Sequence, residues 1–374
     1  GSLTYAFDSA GFVKQRDVSY TYRGEGGSGN QPNRRVKIVR YIYDPETETL
    51  GEPLELMTDL PGSGDHNSGR MLIGPDEKLY YTIGDQGRNQ FAGACLPNQA
   101  QVLPTAEEIA ASDWSNYPGK VLRMNLDGSI PEDNPVFEGV QSHIFTVGLR
   151  NVQGIVMSDA GMLYGTEHGP KTDDEINLLE AGKNYGWPHI SGFQDDQAYV
   201  YANWSAAPDC QQLEFSDYEI PESVPQEQES AWSNPDFVPP LTTFGTVPSD
   251  YDFHSPQCAP QEWICWPTIA PTGMTFYVEQ EDGMPGWGSS LLATALKTGM
   301  VYRMELSDDG RSLVGEPVPY FKTTNRYRDI AVGPDGRTFY VITDSRNWTL
   351  GKDGIPTDNL ENPGTILEFT YTGD

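Results

Sequence analysis

The chain has 374 residues, and its 39 Gly, 29 Pro and 20 Tyr favour many short strands joined by turns over long helices. Its 54 acidic and 24 basic residues give a formal net charge of −30, which disfavours binding to nucleic acid or to an anionic membrane surface. No stretch is apolar for long enough to insert into a membrane and no leader peptide is recognisable, so we expect a mature, exported protein.

A couplet of segments recurs along the chain: a turn that leads into a strand and, further on, a strand that ends in another turn. The first halves cover residues 18–22, 79–83, 162–164 and 339–342, and the second halves cover residues 36–41, 121–126, 301–306 and 366–370. Residues alternate within each half, so one face packs against a neighbouring sheet while the other meets a different environment. The pattern predicts an all-β fold of stacked four-stranded blades, with a β-sandwich as the alternative.

Two long polar inserts, residues 86–118 and 197–260, interrupt this pattern. Loops of this size inside a folded domain usually carry function or bind ligands. A helix is predicted only at residues 105–112, where Thr105 can cap the first turn and Glu107 and Glu108 suit the helix dipole.

Four cysteines form an even set without a Cys-x-x-Cys pair, which argues against a zinc ribbon or a thioredoxin-like site. Disulfides in an oxidising compartment fit better, which favours a periplasmic or secreted protein. A bond between Cys258 and Cys265 would close a small rigid loop. Pairing of Cys95 with Cys210 is then only the pairing that remains, and the sequence leaves it open.

His66 has the most suggestive setting of the five histidines, on a glycine-flanked turn just before a strand. Asp65 precedes it, and a carboxylate that holds an imidazole raises its basicity, as a general base requires. A loop histidine satisfied by a neighbouring backbone group is the alternative.

An acidic segment at residues 167–177 combines a Gly169-Pro170 bend with three consecutive acids. Ca²⁺ takes six to eight oxygen ligands from carboxylates and backbone carbonyls, and this segment exposes both kinds. The spacing is not that of an EF-hand, so a solvated acidic turn is an equal alternative.

Basic residues are scarce, which makes Arg326 and Arg328 notable, because alternating residues on a strand point the same way. Two guanidinium groups on one side form a clamp for a polycarboxylate ligand, and Arg150 and Lys297 are candidates to join them. Taken singly, each is more often a partner in a surface salt bridge.

Several segments together resemble the soluble, calcium-dependent pyrroloquinoline-quinone (PQQ) glucose dehydrogenases, and the likeness runs from about residue 6 to the C-terminus. The segments that carry it are residues 65–70, 81–90, 169–178, 184–188, 264–268, 325–329 and 360–364. The resemblance implies a single six-bladed β-propeller domain over residues 1–374. It also implies a quinoprotein that oxidises the C1 hydroxyl of glucose or a related aldose with PQQ and Ca²⁺, and then passes electrons to an external acceptor.

The resemblance also implies roles for individual residues. His66 would be the catalytic base, assisted by Asp65 and Arg150, with Asp65 and Gln90 holding the sugar. The implied cofactor-binding residues are Arg150, Trp263, Thr268, Lys297, Arg326 and Arg328. The implied calcium ligands are Gly169 and Pro170 at the catalytic ion, Glu175, Tyr185, Ser191 and Phe193 at a structural ion, and Asp195 and Glu229 at a further site linked to a homodimer. The family's disulfide corresponds to Cys258 and Cys265.

Three departures from the family pattern affect these expectations. Trp263 stands where the family has a cofactor-contacting tyrosine, and Leu149 and Val152 replace a histidine and a proline that flank Arg150 and Asn151 in the family. The likeness also begins after the family's first blade segment, so roughly one N-terminal blade segment, with its sugar-contacting glutamine, is expected to be missing. The alternatives are a calcium-dependent propeller lactonase and a non-catalytic binding propeller.

Overall fold

The structure is a computed structural model that describes residues 34–373 and, for the backbone alone, residues 15–23. The first strands are β1 Gln15–Arg23, β2 Arg34–Asp44, β3 Thr49–Gly62, β4 Ser68–Ile73, β5 Lys78–Ile83, β6 Lys120–Asn125, β7 Val136–Phe137, β8 Val140–Gln141, β9 Ile144–Val147, β10 Val152–Met157, β11 Leu163–Glu167 and β12 Asp174–Leu179. They are followed by β13 Tyr201–Ala202, β14 Gln226–Glu227, β15 Thr242–Phe244, β16 Pro271–Tyr277, β17 Ser290–Ala295, β18 Val301–Glu305, β19 Val318–Tyr320, β20 Tyr327–Val332, β21 Thr338–Thr343, β22 Thr349–Leu350, β23 Pro356–Thr357 and β24 Ile366–Thr370.

Helix is almost absent from the described residues. The α-helix α1 covers Ala106–Ala110, and short 3₁₀ turns occupy Trp204–Ala206, Cys210–Gln212, Glu229–Ala231, Pro256–Cys258 and Glu262–Cys265. Thr105 caps α1, because its hydroxyl accepts from the Glu108 backbone N–H while the Glu108 carboxylate accepts from the Thr105 N–H. The helix and its cap are confirmed.

The chain forms two compact units. The first unit holds the chain up to Val152 together with Leu179–Ile190 and Val200–Val238. The second holds Gln153–Leu178, Ser191–Tyr199 and the chain from Pro239 onward. None of the described helices is long and apolar enough to cross a membrane.

In the first unit, β1-β2-β3 form one antiparallel sheet and β4-β5-β6-β9 form a second, with small hairpins β7-β8 and β13-β14. The core lies between the two large sheets and includes Ile38 and Leu60 from one and Leu79, Leu122 and Ile144 from the other, all fully buried. Each such side chain stabilises the fold by roughly 1.5–3 kcal/mol on burial.

In the second unit, β10-β11-β12-β15 and β16-β17-β18-β19 are four-stranded antiparallel sheets, and β20-β21-β24 form a three-stranded one, beside the hairpin β22-β23. Apolar clusters join successive sheets: Ile176 with Leu291, and Leu292 with Tyr327 and Val341. In the large sheets, the strands follow one another in chain order as antiparallel neighbours, apart from the small hairpins inserted between them.

All eight predicted couplet segments are strands, so the prediction of an all-β fold is confirmed. The alternation is clear in β24, whose residues alternate between exposed and half-buried. Strand β5 shows no such alternation between buried and exposed residues. It is almost wholly buried, because protein covers both of its faces. The number of blades and the single domain stay predictions.

Both disulfides are present. We call Cys95–Cys210, 115 residues apart, the long-range disulfide, and Cys258–Cys265, seven residues apart, the short-range disulfide. The pairing predicted for Cys258 and Cys265 is confirmed, and the pairing that the sequence left open also forms.

Candidate active site

His66 and its carboxylate partner meet at one edge of the β4-β5 hairpin. Ser68, at the start of β4, pairs with Ile83, at the end of β5, so the turn before β4 lies beside the turn after β5. The approach is close: a Cβ on Gly84 would lie 2.0 Å from the His66 carbonyl oxygen, so only glycine fits there. His66 itself adopts the left-handed backbone region, with φ of 43°. This conformation is costly for a bulky residue and is typical of functional sites.

The carboxylate that holds the imidazole is Asp85 and not Asp65. His66 Nδ1 lies 2.8 Å from Asp85 Oδ1, whereas Nε2 lies 3.7 Å from the nearer Asp65 oxygen. Asp65 is instead bonded to the His66 backbone N–H and has a side chain that is 56% exposed. The sequence therefore predicted the imidazole–carboxylate pair but assigned it to the adjacent acid.

Asp85 is fully buried, and five donors surround its carboxylate. Oδ1 accepts from His66 Nδ1 and from the Gly87 backbone N–H at 2.9 Å. Oδ2 accepts from Gln90 Nε2 at 2.9 Å, Asn98 Nδ2 at 3.2 Å and Trp187 Nε1 at 2.8 Å. Burial by itself raises the pKa of Asp85, but the charge and hydrogen bond of His66, together with the other donors and Arg150, hold it below its ordinary value.

Gln90 links this carboxylate to Arg150. The Gln90 side-chain carbonyl accepts from Arg150 Nε at 3.1 Å and from an Arg150 terminal nitrogen at 2.7 Å. Arg150 is held from two further directions, since its carbonyl accepts from the Asp85 N–H and its guanidinium lies 5.3 Å from the centre of the Trp187 ring. The structure thus joins the predicted residues His66, Gln90 and Arg150 in one hydrogen-bonded network through Asp85.

A cleft of about 540 Å³ lies beside this network. It is lined by the two predicted sugar-binding residues, Asp65 and Gln90, and by Phe91, whose side chain is 45% exposed and whose ring meets the His66 ring edge-on at 6.2 Å. The remaining lining residues are Arg34, Arg35, Pro61, Gly62, Ser63, Gly64, Gln86, Arg88, Ala92, Gly93 and Leu96. The long-range disulfide anchors this wall, because Cys95 lies in sequence between the lining residues Gly93 and Leu96, and Cys210 belongs to the apolar cluster around Trp204.

In the second unit, Asp174 connects the predicted residue Gly169 to the segment that follows Thr268. Its carboxylate accepts from the backbone N–H groups of Gly169, Ile269 and Ala270 at 2.6–2.9 Å. Gly169 therefore lies close to the segment that carries Thr268. A Cβ on Gly169 would lie 2.0 Å from the Thr172 carbonyl oxygen, so this bend, which continues into Pro170, requires glycine.

Lys297 is buried in the same region. Its ammonium donates to Thr268 Oγ1 at 2.8 Å and to the Trp266 carbonyl at 2.9 Å. Burial lowers the pKa of Lys297, and the negative charge of Asp174 opposes that effect. The predicted pair Thr268 and Lys297 is thus in direct contact.

Arg326 and Arg328 both bind Asp344. Arg328 donates twice to its carboxylate at 2.8 Å, and Arg326 Nε donates at 3.1 Å. Both side chains therefore reach the same point, as the alternation predicted. The carboxylate they share belongs to the protein itself, which the sequence did not reveal.

The predicted structural calcium ligands of the second unit also come together. Glu175 accepts from the Gly192 N–H at 2.6 Å, which places the segment from Ser191 to Phe193 beside its carboxylate. Burial, and then the charge of Glu167, raises the pKa of Glu175 well above its ordinary value. Burial raises that of Asp173 to about 6, and the charge of exposed Asp195 adds to it. A cation would stabilise this concentration of buried negative charge.

The other predicted ligands and contacts are placed as follows. Tyr185 and Glu229 are buried and belong to the first unit. Trp263 is 40% exposed on the loop closed by the short-range disulfide, and its indole N–H donates to Gln261. Across residues 34–373, no group of three or more His, Cys, Asp or Glu side chains is arranged to hold a metal ion.

Three carboxylates hold the candidate site residues in place, and the sequence analysis did not assign them this role. They are Asp85, Asp174 and Asp344. Asp85 and Asp344 each lie within two residues of the end of a predicted strand, at 79–83 and 339–342. A lone acid within two residues of the end of an apolar strand was the signal that could have found Asp85 and Asp344.

Residues 7–216 and 243–352 match the family model described as glucose / sorbosone dehydrogenase. Quinoprotein glucose dehydrogenase B of Acinetobacter calcoaceticus is 46% identical over 356 residues, which span 95% of this chain and 74% of that protein. Aldose sugar dehydrogenase YliI of Escherichia coli is 28% identical over 349 residues, or 91% of this chain and 74% of that one.

Solved structures show the same fold. A crystal structure of a glucose dehydrogenase, 22% identical, has a TM-score of 0.63 over 99% of this chain and 82% of its own. The PQQ-bound aldose sugar dehydrogenase of Streptomyces coelicolor, also 22% identical, has a TM-score of 0.54 over 96% and 75%.

The chain belongs to the glucose / sorbosone dehydrogenase family and is an oxidoreductase of the quinoprotein and aldose sugar dehydrogenase group. The resemblance noted in the sequence is confirmed.

Proposed function

We propose that this protein oxidises the C1 hydroxyl of glucose or a related aldose to the lactone, with PQQ as hydride acceptor and Ca²⁺ as an aid. The observation that carries the proposal is the network of His66, Asp85, Gln90 and Arg150 at a cleft lined by Asp65 and Gln90. The names of two relatives, a quinoprotein glucose dehydrogenase and an aldose sugar dehydrogenase, support the same reaction.

His66 is the general base of the proposal. An ionised carboxylate only accepts hydrogen bonds, so Asp85 holds the Nδ1–H tautomer and leaves the lone pair on Nε2. Nε2 then takes the proton of the C1 hydroxyl, and Asp85 stabilises the imidazolium that forms. Asp65 and Gln90 position the sugar from the cleft wall.

The second unit offers groups that suit an anionic, flat cofactor. Lys297 uses two of its three N–H donors in hydrogen bonds to Thr268 and Trp266, and Arg326 and Arg328 add two guanidinium groups. Exposed Trp263 presents an aromatic face in place of the family's tyrosine. When bound, PQQ supplies the two-electron acceptor that none of the 20 amino acids provides.

Calcium fits the oxygen-rich segments. The Gly169-Pro170 bend exposes backbone carbonyls, and Glu175 with the segment from Ser191 to Phe193 combines a buried carboxylate with further carbonyls. Tyr185, and Asp195 with Glu229, remain the proposed additional ligands. At the catalytic position the ion would supply positive charge for the developing oxyanion.

We further propose an exported protein that passes electrons to an external acceptor and forms a homodimer, built as a six-bladed propeller. The two disulfides support export. The lactonase alternative has less support, because it needs several side-chain carboxylates converging on one metal, and the described residues hold no such group.

The activity test uses purified protein incubated with PQQ and Ca²⁺, with reduction of an artificial electron acceptor followed after glucose is added. We expect turnover, no turnover with NAD in place of PQQ, and a loss of at least about 100-fold in the His66→Ala variant. His254→Ala is the matched control, since it removes an imidazole paired with Asp252 at 2.7 Å that is half exposed. Full activity of His66→Ala would overturn the assigned base.

Cofactor binding is tested separately by titrating PQQ into the apo-protein and following its absorbance. Lys297→Gln should weaken binding about 10- to 100-fold, because a buried charge-assisted contact contributes about 1.5–3 kcal/mol. Lys183→Gln, which removes an exposed pair with Asp236, is the control. Unchanged affinity in Lys297→Gln argues against a cofactor site at this position.

A further inference from the structure

The cleft beside His66 carries an unusual concentration of positive charge. Its charged lining residues are Arg34, Arg35, Arg88 and the single acid Asp65. The chain as a whole has 24 basic against 54 acidic residues, so three cations to one acid in one cleft reverses its overall balance. The cleft therefore attracts anions although the protein repels them in general.

Among the described residues, Arg34 and Arg88 contact backbone carbonyls and not carboxylates. Arg34 donates to the Ser63 carbonyl at 2.9 Å, and Arg88 makes one long contact of 3.5 Å with the Pro97 carbonyl. Within the part of the chain that the structure describes, no carboxylate lies within ion-pair distance of Arg34, Arg35 or Arg88. Each guanidinium has five N–H donors, so most of these donors remain for a ligand.

Two neighbours fit the same interpretation. The Arg34 guanidinium lies against Gly64, since a Cβ on this glycine would lie 2.9 Å from one of its terminal nitrogens. Gln86 also lines the cleft, is 92% buried, and its side-chain carbonyl has no hydrogen-bond partner among the described residues. A buried acceptor without a donor is costly, and a sugar hydroxyl would satisfy it.

We propose that this cleft binds the anionic group of an acidic aldose, a carboxylate or phosphate on a sugar whose C1 lies at His66. Arg34, Arg35 and Arg88 bind the anion, and Gln86 accepts from a sugar hydroxyl. The inference deepens the proposed function and rests on it only for the position of C1. Guanidinium groups suit both anions, since their paired N–H donors match two oxygens of either.

Binding is measured by calorimetry on the PQQ- and Ca²⁺-loaded protein with two ligands blocked at C1, methyl β-glucuronide and methyl β-glucoside. The two differ in the carboxylate alone and neither is oxidised, so the result does not depend on turnover. We expect the glucuronide to bind at least tenfold more tightly, about 1.4 kcal/mol. We also expect this preference to fall in 0.5 M salt and in the Arg34→Gln/Arg35→Gln variant. Lys37→Gln, on the same strand but paired with Glu55 outside the cleft, should keep it.

Kinetics identify which anion is the better substrate. Glucuronate and glucose 6-phosphate are compared with glucose by kcat/KM in the dye assay, and we expect at least one of them to exceed glucose tenfold. Equal affinity for the two C1-blocked ligands would overturn the inference even if glucose is oxidised. Conversely, tight glucuronide binding without turnover of any aldose would overturn the proposed function but would still support the anion site.

Discussion

The Asp85 carboxylate stabilises the fold and holds the tautomer of His66. Replacing Asp85 by asparagine separates these two roles, because the amide keeps the shape of the carboxylate but presents one NH₂ group to a set of five donors. If the NH₂ group takes the position of Oδ2, it faces Gln90, Asn98 and Trp187. If it takes the position of Oδ1, it faces only His66 and the Gly87 N–H. The second orientation loses fewer hydrogen bonds and should be adopted.

In that orientation His66 avoids a clash by moving its proton from Nδ1 to Nε2, so that Nδ1 accepts from the new amide. Only the hydrogen bond of Gly87 is then lost, at about 1–3 kcal/mol. At about 2.1 cal/mol/K per residue over 374 residues, this lowers Tm by roughly 1–4 °C. The base, however, now carries its proton where it should receive one, which lowers kcat by about 10²–10⁴-fold.

The assay combines a thermal melt with the rate of dye reduction at saturating PQQ, Ca²⁺ and aldose, at a temperature where the variant is folded. Asp133→Asn is the control, since it removes an exposed carboxylate paired with Arg123 and should change neither rate nor Tm appreciably. An Asp85→Asn variant that retains a rate within threefold of wild type would refute the tautomer argument, whatever its stability.

Three further predictions concern stability. Replacing both cysteines of the long-range disulfide by serine should cost about 5 kcal/mol, against about 2.5 kcal/mol for the short-range one, because the longer loop gains more chain entropy on unfolding; melts of the two double variants test the order. Burial lowers the pKa of His143 to about 4, so in the native state it stays neutral while the unfolded state takes up a proton below about pH 6.5. The free energy of unfolding therefore falls by up to about 3 kcal/mol as pH falls from 6.5 toward 4. In the His143→Gln variant, the free energy of unfolding from denaturant titrations should depend less steeply on pH over this range. Chelation of Ca²⁺ should lower Tm, renewed Ca²⁺ should restore it, and Glu175→Gln should reduce that response.

The strands were predictable because short-range signals mark them in the sequence: a turn rich in Gly, Pro and Asp precedes a short apolar segment. The turn at Gly74 shows why this works: its N–H and carbonyl bond across to Lys78 and Glu77, and Asp76 accepts from the Lys78 N–H. Such contacts lie within five residues and depend on little else.

The partners of the candidate site were harder to predict, because they depend on strand register. Asp65 is adjacent to His66 in sequence, but on this turn its carboxylate accepts from the His66 backbone N–H and stays 3.7 Å from the ring nitrogen. Asp85 lies 19 residues away along the chain. It reaches His66 only because Ser68 pairs with Ile83, a register that the sequence pattern does not specify.

The same hairpin geometry recurs in the second unit, where it brings together polar residues that are distant in sequence. Pro271 at the start of β16 pairs with Ala295 at the end of β17, which brings Thr268 to Lys297. Tyr327 at the start of β20 pairs with Thr343 at the end of β21, which brings Arg326 to Asp344. An antiparallel hairpin places the residue before its first strand beside the residue after its second.

Each of these hairpins therefore presents one pair of polar side chains at the same kind of edge, and a buried or half-buried cation there needs a countercharge while no ligand is bound. Asp344 provides it for Arg326 and Arg328, and Asp174 provides it for Lys297. An anionic cofactor would then join an existing charge balance rather than create one. Accordingly, Asp344→Asn should weaken the fold while strengthening PQQ binding, since the two guanidinium groups lose the carboxylate that competes with the ligand. A variant that loses both stability and affinity for PQQ would show instead that Asp344 positions the arginines, and titration of the apo-protein beside a thermal melt distinguishes these outcomes.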